Sequence, residues 1–338
     1  MPAMKTHSHL LHGLKLSISA DDTILAALKC RLQQFPAAKP ETPSDLRFEF
    51  RQTLHINDLR MEKALGPKRK VLDLHGGEVI YHEASCQIEV HYPGRARSVC
   101  DIQSGDVQVM YSEVEEGTIG LLTHPLFTIP MAELLKQRGL YMVHAAGLGL
   151  NGRGLLIAGA TGTGKTTLTI ALLRAGFDFL GDDTIFLRVN RTGLRALAFP
   201  DEIDATADTV CLFPELQNAM RQLPGGNRQK RSFVQSRVYD ATVTWGCAPA
   251  ILVFPQPAGA HESVLTHMPR EAALLELICN VLRTEISSTQ AHLDALATLV
   301  KQCRCYRLHT GRDFGALAVR LRSLLNQPED TKTLLKPG

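Results

Sequence analysis

The run Gly159-Ala160-Thr161-Gly162-Thr163-Gly164-Lys165-Thr166 has residue types and a spacing suited to phosphate chemistry. Glycines at these intervals let successive backbone N–H groups turn inward around a β-phosphate without side-chain clashes. Lys165 is expected to reach the β- and γ-phosphates and Thr166 to place its hydroxyl on Mg²⁺. A helix opening there, with Thr167 in its first turn, points the positive end of its dipole at the same charge. The implied ligand set is a nucleoside triphosphate, taken as ATP, together with Mg²⁺.

Flanking sequence supports this GxxxxGK[ST] loop, or P-loop. Apolar Leu155-Leu-Ile-Ala precedes it as a strand, and an amphipathic helix from Thr166 to Ala175 follows, with Gly176 suited to its C-cap. Other members of the P-loop class carry a later strand ending in an Asp. Here the best later strand, Ala250-Ile-Leu-Val-Phe, ends in Pro255, and no Asn-Lys-x-Asp guanine motif is present. Acid arrives sooner, in Phe177-Asp-Phe-Leu-Gly181-Asp182-Asp183-Thr184. Side chains of adjacent residues diverge, so one carboxylate of the pair can face a metal while the other faces an incoming hydroxyl. Phosphoryl transfer to an alcohol needs that division of labour.

His144 is placed by pairing. Asn151-Gly152 is a strong hairpin signal between Leu140-Tyr-Met-Val-His-Ala-Ala-Gly-Leu-Gly-Leu and the strand at Leu155. A two-residue turn there sets Leu150 opposite Arg153 and, counted back, His144 opposite Gly159 at the mouth of the loop. A histidine so placed can hydrogen-bond an active-site carboxylate or a phosphate oxygen.

The elements that position these residues read as an α/β core. Strands and helices alternate from about residue 136 to 327, with amphipathic helices expected near Arg270–Arg283, Gln290–Gln302 and Asp313–Leu325. Ahead of it, residues 1–135 form a β-rich (α+β) domain without a catalytic constellation. Its strands include Leu46-Arg-Phe-Glu-Phe, Gln87-Ile-Glu-Val-His-Tyr and Asp106-Val-Gln-Val-Met-Tyr, with a helix over Asp22–Phe35. A helical stretch from about Gly117 to Gly139, interrupted by Pro125 and Pro130, links the two parts. The first twenty residues, with His7, His9 and His12 but no acid or cysteine among the histidines, read as a solvated leader. Residues 328–338 read as a frayed tail.

At 338 residues and 44% apolar the chain can bury a sizeable core, and a net charge of only +3 supplies no field for a dedicated nucleic-acid binder. Eight cysteines without a CxxC pair argue against zinc, and Cys303-x-Cys305 reads as an ordinary strand. No signal peptide is read before Leu10, nor any apolar run long enough to span a bilayer. The expectation is a cytoplasmic protein with reduced cysteines and no membrane partner.

Val143-His144-Ala145-Ala146-Gly147, the loop Gly159 to Thr166, and Leu180-Gly181-Asp182-Asp183 together resemble the catalytic domain of HPr kinase/phosphorylase and its relatives, a P-loop fold shared with phosphoenolpyruvate carboxykinase. The resemblance covers roughly Leu140 to Arg188. It implies that Asp182 accepts the proton of a serine-like hydroxyl, that His144 tunes the site, that Thr166 ligates Mg²⁺, and that Asp183 serves the metal or the loop. A further metal acid is implied among Asp201, Glu202, Asp204 and Asp208, and Glu202 is chosen. The cluster Arg228-Gln-Lys230-Arg231 resembles a basic loop near phosphates or substrate, with Arg231 as the contact. The signature tied to the reverse, phosphate-removing activity has no counterpart after Asp183, which argues against a bifunctional enzyme.

The sequence thus points to an ATP- and Mg²⁺-dependent kinase acting on a hydroxyl of a protein, peptide or small molecule, with room for a homo-oligomer. The alternative is a nucleotide-binding sensor or scaffold with little catalysis.

Overall fold

The computed structural model describes residues 4–53, 68–113, 116–222, 229–279, 281 and 289–327. The tail after residue 327 and Arg228 lie outside these residues.

The N-terminal part is one eight-stranded sheet. Its elements are β1 (Lys5–Leu11), β2 (Leu14–Ala20), helix α1 (Asp22–Leu32), β3 (Leu46–Gln52), β4 (Lys68–Leu74), β5 (Gly77–His82), β6 (Gln87–Tyr92), β7 (Ala96–Asp101), β8 (Asp106–Tyr111) and helices α2 (Glu116–Thr123) and α3 (Pro125–Lys136). The sheet order is β1-β2-β3-β8-β7-β6-β5-β4. The expectation of a leader is corrected here, because residues 5–20 form a β-hairpin. Its turn is His12-Gly13, at φ 50° and 93°. β1 keeps Lys5, Thr6 and His7 exposed, whereas β2 buries Leu16, Ile18 and Ala20. The period-two signal of β2 outweighed the polar appearance of β1. Helix α1 begins where Asp21 accepts hydrogen bonds from the N–H groups of Thr23 and Ile24 at 2.8 and 3.0 Å. The Tyr111 hydroxyl donates to the same carboxylate at 2.7 Å.

The segment Gly117–Lys136 is long and apolar enough by composition to cross a membrane, contrary to the expectation that no such run exists. It breaks at His124 into α2 and α3, and Leu122, Leu126, Phe127, Met131, Leu134 and Leu135 are buried in the core under the first sheet.

The second part contains β9 (Tyr141–Val143), β10 (Ala145–Leu150), β11 (Arg153–Ala158), α4 (Lys165–Arg174), β12 (Asp178–Gly181), β13 (Ile185–Asn190), β14 (Gly193–Ala198), β15 (Ile203–Thr206), α5 (Ala207–Leu212), β16 (Lys230–Phe233), β17 (Gly246–Pro257), β18 (Val264–His267), α6 (Arg270–Ile278), α7 (Thr289–Gln302), β19 (Arg304–Thr310) and α8 (Phe314–Asn326). A nine-stranded sheet runs β12-β10-β11-β17-β14-β13-β9, with β19 also paired to β17 and β18 to β19. β17 lies parallel to both β11 and β19. Alternation along the central strands feeds two cores. Leu155, Ile157, Ile251 and Val253 pack with Leu168, Leu172, Leu317 and Leu321 of α4 and α8. Leu156, Ala158, Leu252 and Phe254 pack with Ala273, Leu277, Leu296 and Leu299 of α6 and α7. Cys303 and Cys305 are buried packing residues.

The two parts meet over the segment leaving β14. His12 donates through Nε2 to the Ala198 carbonyl at 2.7 Å, and Gln34 donates to that of Pro200 at 2.8 Å. Phe186, Leu197 and Phe199 belong to the core that underlies the first sheet.

Candidate functional site

The glycine-rich loop joins β11, an inner strand, to the first turn of α4. Gly159, Gly162 and Gly164 hold φ angles of 152°, 84° and 93°, a region where side chains are strained. A Cβ on Gly162 or Gly164 would meet nothing within 4 Å, so both positions face open space, whereas one on Gly159 would come within 2.8 Å of Thr163 Oγ1. Thr163 Oγ1 closes the turn by donating to the Ala160 carbonyl at 2.9 Å. Lys165 is folded back over the loop, donating to the carbonyls of Gly159 at 2.7 Å and Ala160 at 3.2 Å. Burial lowers its ammonium pKa, Asp183 and Asp182 oppose that shift, and Lys230 adds to it.

The acid pair follows β12. Asp182 is buried and accepts a hydrogen bond from Thr166 Oγ1 at 2.8 Å through Oδ2, while its Oδ1 is buried without a hydrogen-bond partner. Burial, reinforced by the neighbouring Asp183 charge, pushes its pKa up to about 7 against the bond from Thr166. Asp183 turns the other way, with its side chain 74% exposed. Gly181 packs closely just before the pair, since a Cβ there would stand 2.6 Å from the Thr184 carbonyl and 2.8 Å from that of Phe199.

The hairpin expected at Asn151-Gly152 has the expected register, from Leu150↔Arg153 to Ala145↔Ala158. The stretch read as one strand is two, however: β9 pairs with β13, β10 pairs with β11 and β12, and His144 sits at the bend between them. The ladder therefore stops one pair short of His144 and Gly159. From the bend, His144 Nδ1 donates to the Asp183 backbone carbonyl at 3.0 Å and lies 3.3 Å from its Oδ1. His144 thus reaches the acid pair through Asp183.

Two other expected residues lie elsewhere. Glu202 is buried, pairs with the partly exposed Arg221 and accepts from Gln33 Nε2 at 2.9 Å. Its neighbour Asp201 pairs with Arg31 at 2.6 Å. The acid of this stretch within electrostatic reach of both Asp182 and Asp183 is Asp204, held by the Ser232 hydroxyl and pushed up mainly by burial. On the β15–β16 ribbon Asp204 faces Ser232 and Thr206 faces Lys230, whereas Arg231 pairs with Ala205. Alternation puts Lys230 on the Asp204 face, within reach of Lys165, and Arg231 on the opposite face. Thr167 meets Thr209 of α5, Oγ1 to Oγ1, at 3.3 Å.

His124, at the α2–α3 junction, also lies near this site. Burial and the Arg31 charge push it down to about 4, while Asp201 and Asp183 oppose them. No local signal marks it, because only the docking of the two parts brings it near the acid pair.

Among the described residues, no three His, Cys, Asp or Glu side chains form a cluster that could hold a metal alone. Thr166 Oγ1 and the Asp182 carboxylate are oxygen donors of the kind Mg²⁺ takes beside water and phosphate oxygens, and Asp182 Oδ1 is a buried acceptor without a hydrogen-bond partner.

No family model matches the chain, and no curated protein matches it. Among solved structures, the Hpr(Ser) kinase/phosphatase from Coxiella burnetii is similar at 14% identity and a TM-score of 0.26, over 54% of this chain and 92% of that one. The likeness is weak, and the chain itself is a mixed α/β protein built on several sheets.

Proposed function

We propose that the chain is an ATP- and Mg²⁺-dependent kinase with a P-loop of the HPr-kinase type, transferring a γ-phosphate to a serine-like hydroxyl of a protein, peptide or small molecule. The observation that carries the reading is Asp182: a buried carboxyl with one oxygen on the loop-helix hydroxyl and the other unpartnered. In the metal-free chain burial raises its pKa to about 7, and Oδ1 is the oxygen left to take a proton.

In this reading the open loop takes the phosphates, and Lys165 exchanges the Gly159 and Ala160 carbonyls for phosphate oxygens. Lys230 adds positive charge from the ribbon. Thr166, Asp182 Oδ2 and Asp204 would hold Mg²⁺, which when bound neutralises charge on the phosphates. Asp182 Oδ1 receives the acceptor's proton. Asp183, steadied by His144, faces solvent where an acceptor enters. Positioning and charge neutralisation supply most of the rate.

Titration calorimetry with ATP tests the reading, with and without Mg²⁺. Lys165→Ala is expected to weaken binding by about 1.5–3 kcal/mol, the worth of hydrogen bonds to a charged group. Equal affinity in the variant would remove the loop from the account. The sensor reading is separated by Asp182→Asn, which in a sensor would leave nucleotide-dependent behaviour intact.

A further inference from the structure

The outer face of the β15–β16 ribbon bounds a pocket of about 630 Å³, a size that suits a small organic ligand. Ala205, Val210, Cys211 and Met220 supply an apolar wall, Gln217 a neutral polar group, and Arg231 a guanidinium. Among the described residues, none that lines it is acidic. Arg231 is exposed, and among the described residues it forms no ion pair or side-chain hydrogen bond. The pocket is separate from the phosphate loop, since Lys230 and Asp204 occupy the other face of the ribbon.

We propose that this pocket is a second ligand site, for a small amphipathic organic anion whose carboxylate or phosphate pairs with Arg231 and whose apolar body lies on Val210 and Met220. An unpaired guanidinium over an apolar wall selects for both parts of such a ligand. Its planar fork pairs with two oxygens of a carboxylate or phosphate. A neutral apolar molecule leaves the cation unsatisfied, and inorganic phosphate leaves the wall wet.

Cys211, exposed on the pocket wall, provides a reporter. In the full-length, nucleotide-free protein, its alkylation by anionic iodoacetate and by neutral iodoacetamide is followed by peptide mass spectrometry. Arg231→Gln is expected to lower the iodoacetate-to-iodoacetamide rate ratio at Cys211 by about fivefold, the effect of losing one nearby charge in water. Arg231→Lys is expected to retain most of the ratio. Millimolar phenylpropanoate is expected to protect Cys211 saturably in the wild type, while the exposed Cys279 stays reactive. An unchanged ratio in Arg231→Gln, or no protection of Cys211, overturns the proposal. Because nucleotide is absent throughout, failure of the kinase reading would leave this result standing.

Discussion

Replacing Asp182 by Asn is expected to stabilise the folded chain at neutral and alkaline pH while removing its proposed chemistry. Asp182 titrates near 3.8 in an unfolded chain and is raised to about 7 by burial. Between those values the native state holds a proton that the unfolded state has lost, so stability falls as pH rises across the window. The penalty is absent below about pH 4 and is complete above about pH 7. The rise from 3.8 to about 7 corresponds to about 4 kcal/mol at pH 8 and about 2 kcal/mol at pH 5. Asn carries no charge to desolvate and can still accept the hydrogen bond from Thr166. Urea unfolding in a chelator, followed by fluorescence of the single tryptophan, Trp245, measures the difference. Trp245 lies against Phe35 and His12 where the two parts meet, so it reports on that junction. A stability gap that is flat with pH, or an Asn variant less stable than wild type at pH 8, would refute the assignment of a buried, protonated Asp182.

Further substitutions separate the loop, the acid pair and the ribbon. Gly181→Ala forces a Cβ against the carbonyls of Thr184 and Phe199, and a loss of about 1–3 kcal/mol in urea unfolding is expected; an unchanged midpoint would contradict that packing. Asp204→Asn is expected to weaken the Mg²⁺ dependence of ATP binding in calorimetry with little change in stability. Glu202→Gln is expected to do the reverse, costing about 1.5–3 kcal/mol of stability through its bonds to Arg221 and Gln33 and leaving the Mg²⁺ dependence intact. The opposite pattern would restore Glu202 as the metal acid.

The legible parts of the sequence were those governed by short-range rules. Asn151-Gly152 adopts positive φ at both residues, 51° and 77°, and so set the β10–β11 register. Glycine spacing marked the loop, and Gly181-Asp182-Asp183 marked two diverging carboxylates. What the sequence left open depended on partners distant in the chain. Glu202 and Asp204 look alike in sequence. Glu202 precedes β15 and is taken by Arg221 and Gln33, whereas Asp204, on the ribbon, lies within electrostatic reach of the acid pair. Lys230 and Arg231 part because adjacent residues on a ribbon face opposite ways. The bend at His144 was hidden because Leu140–Leu150 is apolar on both sides of it, and periodicity cannot show where a strand changes partners. The β1–β2 hairpin was obscured by a His-Gly turn and by a first strand that opens with Lys5, Thr6 and His7 facing water.

The most direct test of the kinase account is transfer of labelled γ-phosphate from Mg²⁺-ATP into compounds of a peptide and metabolite extract, comparing wild type with Asp182→Asn. The account predicts label in a recoverable, hydroxyl-linked product from the wild type, and a loss of at least about 100-fold in the variant, the scale of removing a general base. Undiminished transfer by Asp182→Asn would contradict it.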